Sequence, residues 1–322
     1  MSNLVTASVP ARLHLGFLDL NGSTGRRFGS IGLPLSEPET AVTLSLASKT
    51  SVEGPDGERA ARHLEALCGH LGIRARHRLV VERAIPPHVG LGSGTQMAVA
   101  VAAALRTLHD LPIDASSDAR LLGRGARSGI GIAAFERGGL IVDAGKSADD
   151  REPPVVARLP FPEEWRVILI VDHGHTGIHG EEEIAAFRAL PPFPATSAGE
   201  ICRRVLMQAL PAIVERNLAA FGAAIEAVQV EVGTYFAPVQ GGVFTSKRVE
   251  KLAKRMVDAG ATGIGQSSWG PTGFAFAPSE EVARDIVHVA LESADPDIEM
   301  KIVRGRNSGA EISRNTLRLL GS

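Results

Sequence analysis

The sequence predicts an α/β protein built of two lobes. Three observations carry this prediction: the length of 322 residues, the strand-like segments that open the chain, and the alternation of strands and helices in its second half. Domains usually contain about 100 to 200 residues, so a chain of this length suggests two of them. We expect the first domain to cover residues 1–150 and the second to cover residues 151–322.

The first half begins with segments rich in β-branched residues and partly alternating with period two, a pattern typical of strands. These segments are LVTASV, ARLHLGFLDL, TAVTLSLA and HRLVVERA. Residues 95–108 predict a helix that is apolar nearly all round and therefore buried. A second helix is predicted over residues 117–126, and GGLIVDAG (138–145) predicts a short strand between glycine turns.

A polar, proline-rich stretch at residues 146–164 is the expected linker between the domains. Beyond it the sequence predicts a buried strand at WRVILIVD and a helical region over about residues 197–231. Then follow a helix at 247–258, a strand at GFAFA, a helix at 280–293 and a strand at IEMKIVR. Interleaved strands and helices favour a layered α/β sandwich.

Composition excludes several classes of protein. Hydrophobic residues make up 44% of the chain and charged residues 22%, which is the usual globular mixture. The net charge is −2 and no basic face is evident, so nucleic acid is not an expected partner. The sequence shows no signal peptide and no apolar run of ~18 residues, so we expect a cytoplasmic protein without membrane contact. Cys68 and Cys202 match no metal spacing and are expected to be reduced, buried thiols.

The stretch PPHVGLGSGTQMAVAVAAAL (residues 86–105) joins a glycine-rich loop to the predicted apolar helix. Such a loop presents backbone N–H groups and the positive end of the helix dipole to one point, which suits a phosphate. The sequence lacks GxxxxGK[ST] and the third glycine of the dinucleotide fingerprint, so the loop is of another kind. An ordinary glycine turn with a helix cap is the alternative. The expected phosphate-binding residues here are Gly90, Gly92, Ser93, Gly94, Thr95 and Gln96.

This stretch resembles the phosphate loop of the GHMP kinases, the superfamily named after galactokinase, homoserine kinase, mevalonate kinase and phosphomevalonate kinase. ATGIGQSSWGPTGFAF (261–276) is similar to their glycine-rich third motif. The resemblance implies their two-lobed fold, with an N-terminal ribosomal-protein-S5-like β/α domain and a C-terminal ferredoxin-like α/β sandwich. The sequence departs from the kinases after Ser128-Gly129-Ile130, where Gly131 replaces the catalytic aspartate. A phosphoryl transfer that depends on this carboxylate would lose it.

Three longer motifs resemble one branch of the superfamily, the β-ribofuranosylaminobenzene 5′-phosphate synthases. They are RLHLGFLDLNGSTGRRFGSIGLPL (12–35), ARSGIGIAAFERGGLIVDAG (126–145) and GQSSWGPTG (265–273). The resemblance implies a phosphoribosyltransferase of methanopterin biosynthesis that condenses phosphoribosyl pyrophosphate with 4-aminobenzoate and releases pyrophosphate and carbon dioxide. We expect Mg²⁺ as cofactor and a homodimer. 4-Hydroxybenzoate stays open as the acceptor, because it differs by one polar atom.

Displacement at an anomeric carbon passes through an oxocarbenium-like state, which needs negative charge near the ribose and positive charge on the leaving group. Asp19 is expected to stabilise that state or to hold Mg²⁺, and Arg26 to bind pyrophosphate or the acceptor carboxylate. His14 shares a strand face with Arg12 and is a third catalytic candidate. The alternatives are a plain turn with solvated arginines and a hydrogen-bonded core histidine.

The other two motifs supply candidates for binding. Arg127 and Ser128 are expected to bind phosphate. The expected substrate-binding residues are Gln266, Ser267, Ser268 and Trp269. Trp269 would stack on the aromatic acceptor, with packing in the core as the alternative.

ILIVDHGHTGIHGEEE (168–183) invites two further interpretations, a partial phosphoribosyltransferase signature at Asp172 and a metal site of His173, His175 and His179. The run lacks the paired acids of that signature and is broken by glycines, which favours a loop at the rim of the cleft. Its acidic end, Glu181–Glu183, suits the first turn of a helix. Two rival functions stay open, an ATP-dependent small-molecule kinase and a non-catalytic binding protein that kept the fold.

Overall fold

A computed structural model describes residues 2–147, 152–177, 185, 187–292 and 294–317. Within these residues the chain forms two sheets with helices packed on them. The element bounds given below follow the hydrogen-bonding pattern of the backbone.

The first sheet contains, among the described residues, seven strands: β1 (Ser2–Asp19), β2 (Phe28–Leu46), β3 (Ser51–Glu53), β4 (His77–Arg83), β5 (Leu140–Asp143), β6 (Val155–Leu159) and a last strand, Glu311–Leu317, that we label β11. They run in the order β11-β1-β2-β4-β3, while β5 pairs with β2 and β6 with β5. Every pair is antiparallel except β3 with β4. The long hairpin β1–β2 is therefore the centre of this sheet.

The second sheet consists, in the part of the chain described, of β7 (Arg166–Asp172), β8 (Thr262–Gln266), β9 (Gly273–Ala277) and β10 (Ile298–Val303). Its order is β10-β7-β9-β8 and its pairs are antiparallel. Side chains of β7 alternate between two cores, since successive residues of a strand point to opposite faces. Val167 and Leu169 join the core between the sheets, and Ile168 and Ile170 join the core under the outer helices.

Helices cover both sheets. The first half contains α1 (Gly57–Leu71), α2 (Ser93–Leu108), α3 (Ala115–Leu121) and α4 (Ile130–Glu136). The second half contains α5 (Ala195–Arg204), a π-helical turn (Val205–Ala209), α6 (Leu210–Val214), α7 (Leu218–Gln240), α8 (Lys247–Asp258) and α9 (Glu280–Leu291). Helix α2 is buried along most of its length because it packs against β1 and β2 as well as α1, α3 and α4.

The largest core lies between the two halves of the chain and takes side chains from both. Leu13 and Leu15 of β1 pack there with Phe221 of α7 and Phe274 of β9. A shared apolar core of this kind fixes the two halves against each other. The loops that meet above it therefore have fixed relative positions.

The sequence located most of these elements. Helix α8 begins and ends where it was predicted, and α2 begins two residues earlier than predicted. The prediction of an irregular linker at 146–164 is wrong for residues 155–159, which form β6 and pair with β5. This strand lies at the edge of the sheet with exposed or half-buried residues, so it carries only a weak apolar pattern.

Two simpler predictions can also be compared with the structure. No helix among the described residues is long and apolar enough to cross a membrane. Cys68 and Cys202 are both free thiols, as expected. The prediction of burial is wrong for Cys202, which lies exposed on α5, while Cys68 is half-buried.

Candidate active site

The phosphate loop, which we define as residues 90–95, leads directly into α2. Gly90 and Gly92 both have φ of 85°, a left-handed conformation that favours glycine. The N–H groups of Thr95 and Gln96 donate to the Gly92 carbonyl oxygen and close the first turn of the helix. The preceding N–H groups, at the positive end of α2, are therefore the ones that can face an anion.

Gln96 lies outside the anion-facing part of this loop. Its side chain is buried, and its Nε2 donates to the carbonyl oxygen of Pro10 at 2.6 Å. Its backbone N–H is already used in the first turn of α2. The helix therefore directs this predicted phosphate ligand towards β1 rather than towards the loop.

The third motif packs directly on the phosphate loop. A Cβ added to Gly90 would overlap the carbonyl oxygen of Ser267 and lie 3.1 Å from the Cα of Gly270. Ser267 Oγ donates to the Gly90 carbonyl oxygen at 2.8 Å and accepts from the backbone N–H of His14 at 3.0 Å. Ser267, a predicted substrate ligand, is thus fully buried, and it joins the third motif to β1 and to the phosphate loop.

Two arginines flank the phosphate loop. Arg12 Nη1 donates to the Gly90 carbonyl oxygen at 2.5 Å, and a Cβ added to Gly94 would lie 2.8 Å from Arg124 Nη1. Arg124 Nε is buried without a hydrogen-bond partner among the described residues. Burial and the nearby Arg59 lower the pKa of Arg124. A guanidinium at a helix N-terminus is unfavourable by itself and becomes favourable when an anion is bound there.

His14 is buried in β1 beside the loop. Its Nε2 lies 3.2 Å from Ser30 Oγ, and its ring meets the edge of Phe17. Burial, and then the charge of Arg12, lowers the pKa of His14 to about 3. The imidazole is therefore neutral at pH 7 and can form hydrogen bonds there, but it carries no positive charge.

Gln266 is held on both sides by the protein. Its Oε1 accepts from the backbone N–H of Thr245 at 2.8 Å, and its Nε2 donates to the carbonyl oxygen of Ser268 at 3.1 Å. Ser268 itself has φ of 57° and lines, with His14, a narrow pocket between β1 and α7. Of these predicted ligands, Ser268 is the one placed at a pocket wall with a strained backbone.

Trp269 lines the same pocket but is 3% exposed. It stacks on Phe187, with ring centroids 5.4 Å apart, and meets the edge of Phe236. These contacts agree with the core-packing alternative for Trp269. Its Nε1 is nevertheless buried with no partner in the described part of the chain.

Asp19 ends β1 and begins the arginine loop, which we define as residues 19–28. Its Oδ1 accepts from the backbone N–H groups of Asn21 at 2.7 Å and Gly22 at 3.0 Å. Although Cys202 as a whole is exposed, partial desolvation of its thiol by the surrounding protein, and then the charge of Asp19, raises the pKa of this thiol on α5. Asp19 therefore makes the local turn that was the structural alternative, and it lies against α5 at the end of the strand remote from the phosphate loop.

The arginine loop is docked on the segment that follows β5. Arg26 Nη1 donates to the Gly145 carbonyl oxygen at 2.9 Å. Arg27 and Lys146 exchange two backbone hydrogen bonds of 3.0 and 2.9 Å. Gly145 has φ of 69°, and a Cβ there would lie 2.5 Å from the backbone nitrogen of Gly29. Arg26 is exposed, so the donors not used by Gly145 face solvent.

Asp143, at the end of β5, links the arginine loop to the motif of residues 127–131. Its Oδ1 accepts from Gly145 N–H at 2.9 Å, and its Oδ2 accepts from Gly129 N–H at 3.1 Å and Ser128 Oγ at 3.4 Å. The carboxylate is fully buried, and burial raises its pKa to about 6. Ser128, a predicted phosphate ligand, is therefore also a partner of this carboxylate.

An aromatic ring lies between the motifs. The guanidinium carbon of Arg127 is 5.3 Å from the centroid of the Phe187 ring, a cation–π contact. Phe187 also meets Phe28 of the arginine loop edge to face and stacks on Trp269. Phe187 thus brings together residues of three motifs that are far apart in sequence.

Gly131 stands where the kinases place their catalytic aspartate. A Cβ added to Gly131 would lie 2.9 Å from Thr95 Cγ2, because the first turns of α4 and α2 pack together. A larger residue at this position would require the Thr95 side chain to shift, so Gly131 lies at a tight contact between the two helices.

The segment after β7 lies at the rim of this site, as the sequence predicted. A Cβ added to Gly177 would lie 2.7 Å from the Cα of Gly270 and 3.1 Å from the carbonyl oxygen of His88. Asp172 is buried in an ion pair with Arg248, so it does not act as the acid of a phosphoribosyltransferase signature. The described residues contain no group of metal-binding side chains. His179 and Glu181–Glu183 lie outside the described residues.

Sequence reasoning missed three residues of this site. Arg124 lies in GRGARSG, where its flanking glycines marked a turn but not its contact with Gly94. Asp143 ends an apolar strand, and a glycine follows two residues later, a pattern that also occurs in ordinary turns. Phe187 follows the acidic run and carries no local signal at all. All three are defined by contacts between segments distant in sequence, which a local pattern does not contain.

The chain matches the models of known families in both halves. Residues 58–139 match the GHMP kinases N terminal domain and residues 209–294 match the GHMP kinases C terminal domain. The β-ribofuranosylphenol 5′-phosphate synthase of Methanothermobacter thermautotrophicus is 33% identical, covering 94% of this chain and 97% of its own. The synthase of the same name from Archaeoglobus fulgidus is 34% identical with the same coverage.

The homoserine kinase of Cytophaga hutchinsonii superposes on this chain with a TM-score of 0.67, covering 97% of each chain at 19% identity. At this identity the likeness shows the fold alone. Together with the family models it confirms the predicted α/β fold of the GHMP kinases. The chain is an enzyme, so the rival interpretation as a non-catalytic binding protein is wrong.

Proposed function

Because the chain belongs to the β-ribofuranosylphenol 5′-phosphate synthase family of the GHMP kinase superfamily, we propose that it transfers the phosphoribosyl group of phosphoribosyl pyrophosphate to a para-substituted benzoate. The observation that carries this proposal is a pair of cationic regions at the two ends of one stretch of β1. Arg12 and Arg124 lie on the phosphate loop, and Arg26 lies on the arginine loop. His14 and Asp19 mark these ends, roughly 16 Å apart at the usual rise of a strand.

A substrate with a phosphate at one end and a diphosphate at the other fits a site that is cationic at both ends. We assign the diphosphate to the phosphate loop, where the positive end of α2 and two guanidinium groups meet. We assign the 5-phosphate to the arginine loop, where Arg26 has donors facing solvent.

In the proposed reaction the bond between C1 of the ribose and the pyrophosphate oxygen breaks, and the ring carbon that bears the carboxylate attacks C1. The para substituent donates electrons to the ring as the new C–C bond forms. The bond to the carboxylate then breaks, carbon dioxide leaves, and the bonding pair restores the aromatic ring. This sequence is balanced without an oxidant, a reductant or a proton donor.

The residues of this chain would supply opposite charges to the two parts of the transition state. The Asp19 carboxylate would stabilise the positive charge that develops on the ribose. Arg12 and Arg124 would stabilise the departing pyrophosphate. His14 would contribute a neutral hydrogen-bonding wall, since its pKa is lowered to about 3 by burial and by Arg12.

Mg²⁺ fits this proposal as an ion that arrives with the substrate. In enzymes it usually keeps several waters and takes one or two carboxylates besides phosphate oxygens. The described residues offer no cluster of metal ligands, and Asp19 already uses Oδ1 in its turn. Asp19 would therefore hold the ion through one oxygen, and the ion would neutralise part of the charge of the 5-phosphate assigned to the arginine loop.

The acceptor is proposed as a class. The motifs imply 4-aminobenzoate, whereas the relatives are named for a ribosyl phenol, the product that 4-hydroxybenzoate would give. Amino and hydroxyl groups both donate electrons to the ring, so either acceptor allows the chemistry. Methanopterin biosynthesis is the pathway that the family implies, while a homodimer in the cytoplasm stays a prediction.

The test supplies phosphoribosyl pyrophosphate and Mg²⁺ with either 4-aminobenzoate or 4-hydroxybenzoate, each labelled in the carboxyl group, and counts released carbon dioxide and pyrophosphate. We expect equal amounts of the two products from one of these acceptors, and loss of both in Arg26→Ala. No release from either acceptor, together with ADP formation from ATP and an alcohol, would contradict the proposal and indicate a small-molecule kinase.

A further inference from the structure

The Asp143 carboxylate contacts the segment that bears Arg127 directly and is connected to the arginine loop through Gly145. Its Oδ1 holds Gly145, whose carbonyl oxygen receives Arg26. Its Oδ2 holds the backbone N–H of Gly129 and the hydroxyl of Ser128, next to Arg127. The distance between the two segments is therefore set by the width of a single carboxylate group.

This carboxylate has no counter-ion among the described residues. Its bonds come from neutral N–H and O–H donors, and burial raises its pKa to about 6. A buried charge without an opposite charge costs free energy of folding, which the three hydrogen bonds to this carboxylate offset only in part. A costly ionisable group in contact with a functional site is the usual mark of a functional role.

We infer that Asp143 is a positioning residue that fixes the spacing between Arg26 and Arg127, and with it the span of the phosphoribosyl-binding site. This inference rests on the proposed function. Asp143 is buried under both loops and acts on the substrate through them, so it sets binding geometry and takes no part in bond making.

Asp143→Asn tests the inference, and Asp172→Asn is its matched control. Each of the two carboxylate oxygens accepts from one backbone N–H group, of Gly129 or Gly145. The amide replaces one oxygen by an NH₂ group, which cannot accept, so one of the two segments loses its anchor. We expect the KM for phosphoribosyl pyrophosphate and the Kd for ribose 5-phosphate, the part of the substrate assigned to the arginine loop, to rise at least about tenfold at pH 8. Asp172, which is buried at the end of β7 with Arg248 as partner, should leave both constants within twofold when replaced.

The pH profile separates positioning from a general loss of structure. Protonation of Asp143 should weaken binding below about pH 6 in the wild type, while the variant should show no such limb. Dividing the wild-type affinity by the variant affinity at each pH cancels the effect of protonation of the ligand. The charged side chains facing this region are those of Arg26, Arg27, Arg127 and Lys146, and none of them is a carboxylate or a histidine. His14, on the far side of Ser30, is neutral because its pKa is about 3.

Asp143→Ser is a second neutral variant that is small enough to fit the site, and it should show the same loss if Asp143→Asn fails to fold. Constants and pH profiles equal to those of the wild type in a folded variant would overturn the inference. Equal losses in Asp172→Asn would overturn it too. If the wild type transfers no phosphoribosyl group, the proposed function fails, and ribose 5-phosphate binding by calorimetry still decides the role of Asp143.

Discussion

The two sheets each contain a strand that ends in nearly the same sequence, LIVDAG at residues 140–145 and LIVDHG at residues 169–174. Both aspartates are buried, and both accept a hydrogen bond from the glycine two residues later. These bonds are 2.9 Å from Gly145 to Asp143 and 3.0 Å from Gly174 to Asp172. The two segments are therefore alike in sequence and in this hydrogen bond, although Gly145 has a positive φ of 69° and Gly174 does not.

Their remaining partners differ. Asp172 receives the Arg248 guanidinium at 2.5 Å and Ser246 Oγ at 2.6 Å, which ties β7 to the start of α8. Asp143 receives only neutral donors, from Ser128 and Gly129 as well as Gly145. Burial alone therefore does not distinguish a structural carboxylate from a functional one. The chemical nature of the partners, supplied by distant segments, makes the distinction.

The largest expected effect separates the two glycines. Gly145→Ala would place a Cβ against the backbone of Arg27 and Gly29, at a φ of 69° that alanine rarely adopts. Because this displaces the anchor of Arg26, we expect kcat/KM for phosphoribosyl transfer to fall about 100-fold or more. The same change at Gly174 meets no backbone atom, since its nearest neighbours are the flexible ends of the Arg248 and Asp297 side chains. Steady-state kinetics of Gly174→Ala should match the wild type, and equal losses in the two variants would remove the distinction.

The second effect is on stability and falls on the other aspartate. Asp172→Asn weakens the buried bonds of the carboxylate with Ser246 and Gly174, and we expect the free energy of unfolding to drop by about 2 kcal/mol at pH 7. Asp143→Asn should stay within about 1 kcal/mol of the wild type, because it also removes an unpaired buried charge. Denaturant unfolding of both variants measures this, and a larger loss in Asp143→Asn would contradict the account.

A third effect tests the other end of the site, where no aspartate is involved. Arg124→Ala removes the guanidinium beside Gly94, and we expect the Kd for pyrophosphate to rise about tenfold, the usual effect of losing one charge-assisted hydrogen bond. Arg120, an exposed arginine of α3, is the control. Calorimetric titration should show little change in Arg120→Ala. An unchanged Kd in Arg124→Ala would mean that the diphosphate is bound elsewhere.

The smallest effect is the pH dependence of stability. Folding raises the pKa of Asp143 from 3.8 to about 6 through burial, so its contribution to stability is full below pH 3.8 and is lost as the pH rises through 6. As the pH rises from 5 to 7, the free energy of unfolding of Asp143→Asn minus that of the wild type should therefore increase by on the order of 1 kcal/mol. His14 has the opposite sign, since its lowered pKa stabilises above pH 6.5, and it cancels in this difference. No change in the difference with pH would contradict the assignment.

Much of the fold could be predicted because its signals are local. Helix α8 has charged and apolar residues at helical spacing, and the phosphate loop has its glycines at the entry to an apolar helix. Strand β6 was missed because an edge strand needs few buried residues. Its position depends on pairing with β5, which is not encoded within residues 155–159.

The candidate site was predictable as a set of motifs but not as a geometry. The sequence identified Gly90, Ser267 and His14 separately, and the structure joins them by hydrogen bonds through Ser267 Oγ. The sequence alone does not distinguish Asp143 from Asp172, because their local sequences are nearly the same. The cation that neutralises one of them comes from Arg248, 76 residues further along the chain.

The central claim is that this fold makes a carbon–carbon bond at the anomeric centre. The most direct measurement is the structure of the product formed from phosphoribosyl pyrophosphate and the turned-over acceptor, determined by NMR. The account predicts a riboside in which C1 of the ribose 5-phosphate is joined to the ring carbon that carried the carboxylate, with no carboxylate remaining. A product that keeps its carboxylate and is linked through oxygen or nitrogen, or a phosphorylated alcohol formed from ATP, would contradict it.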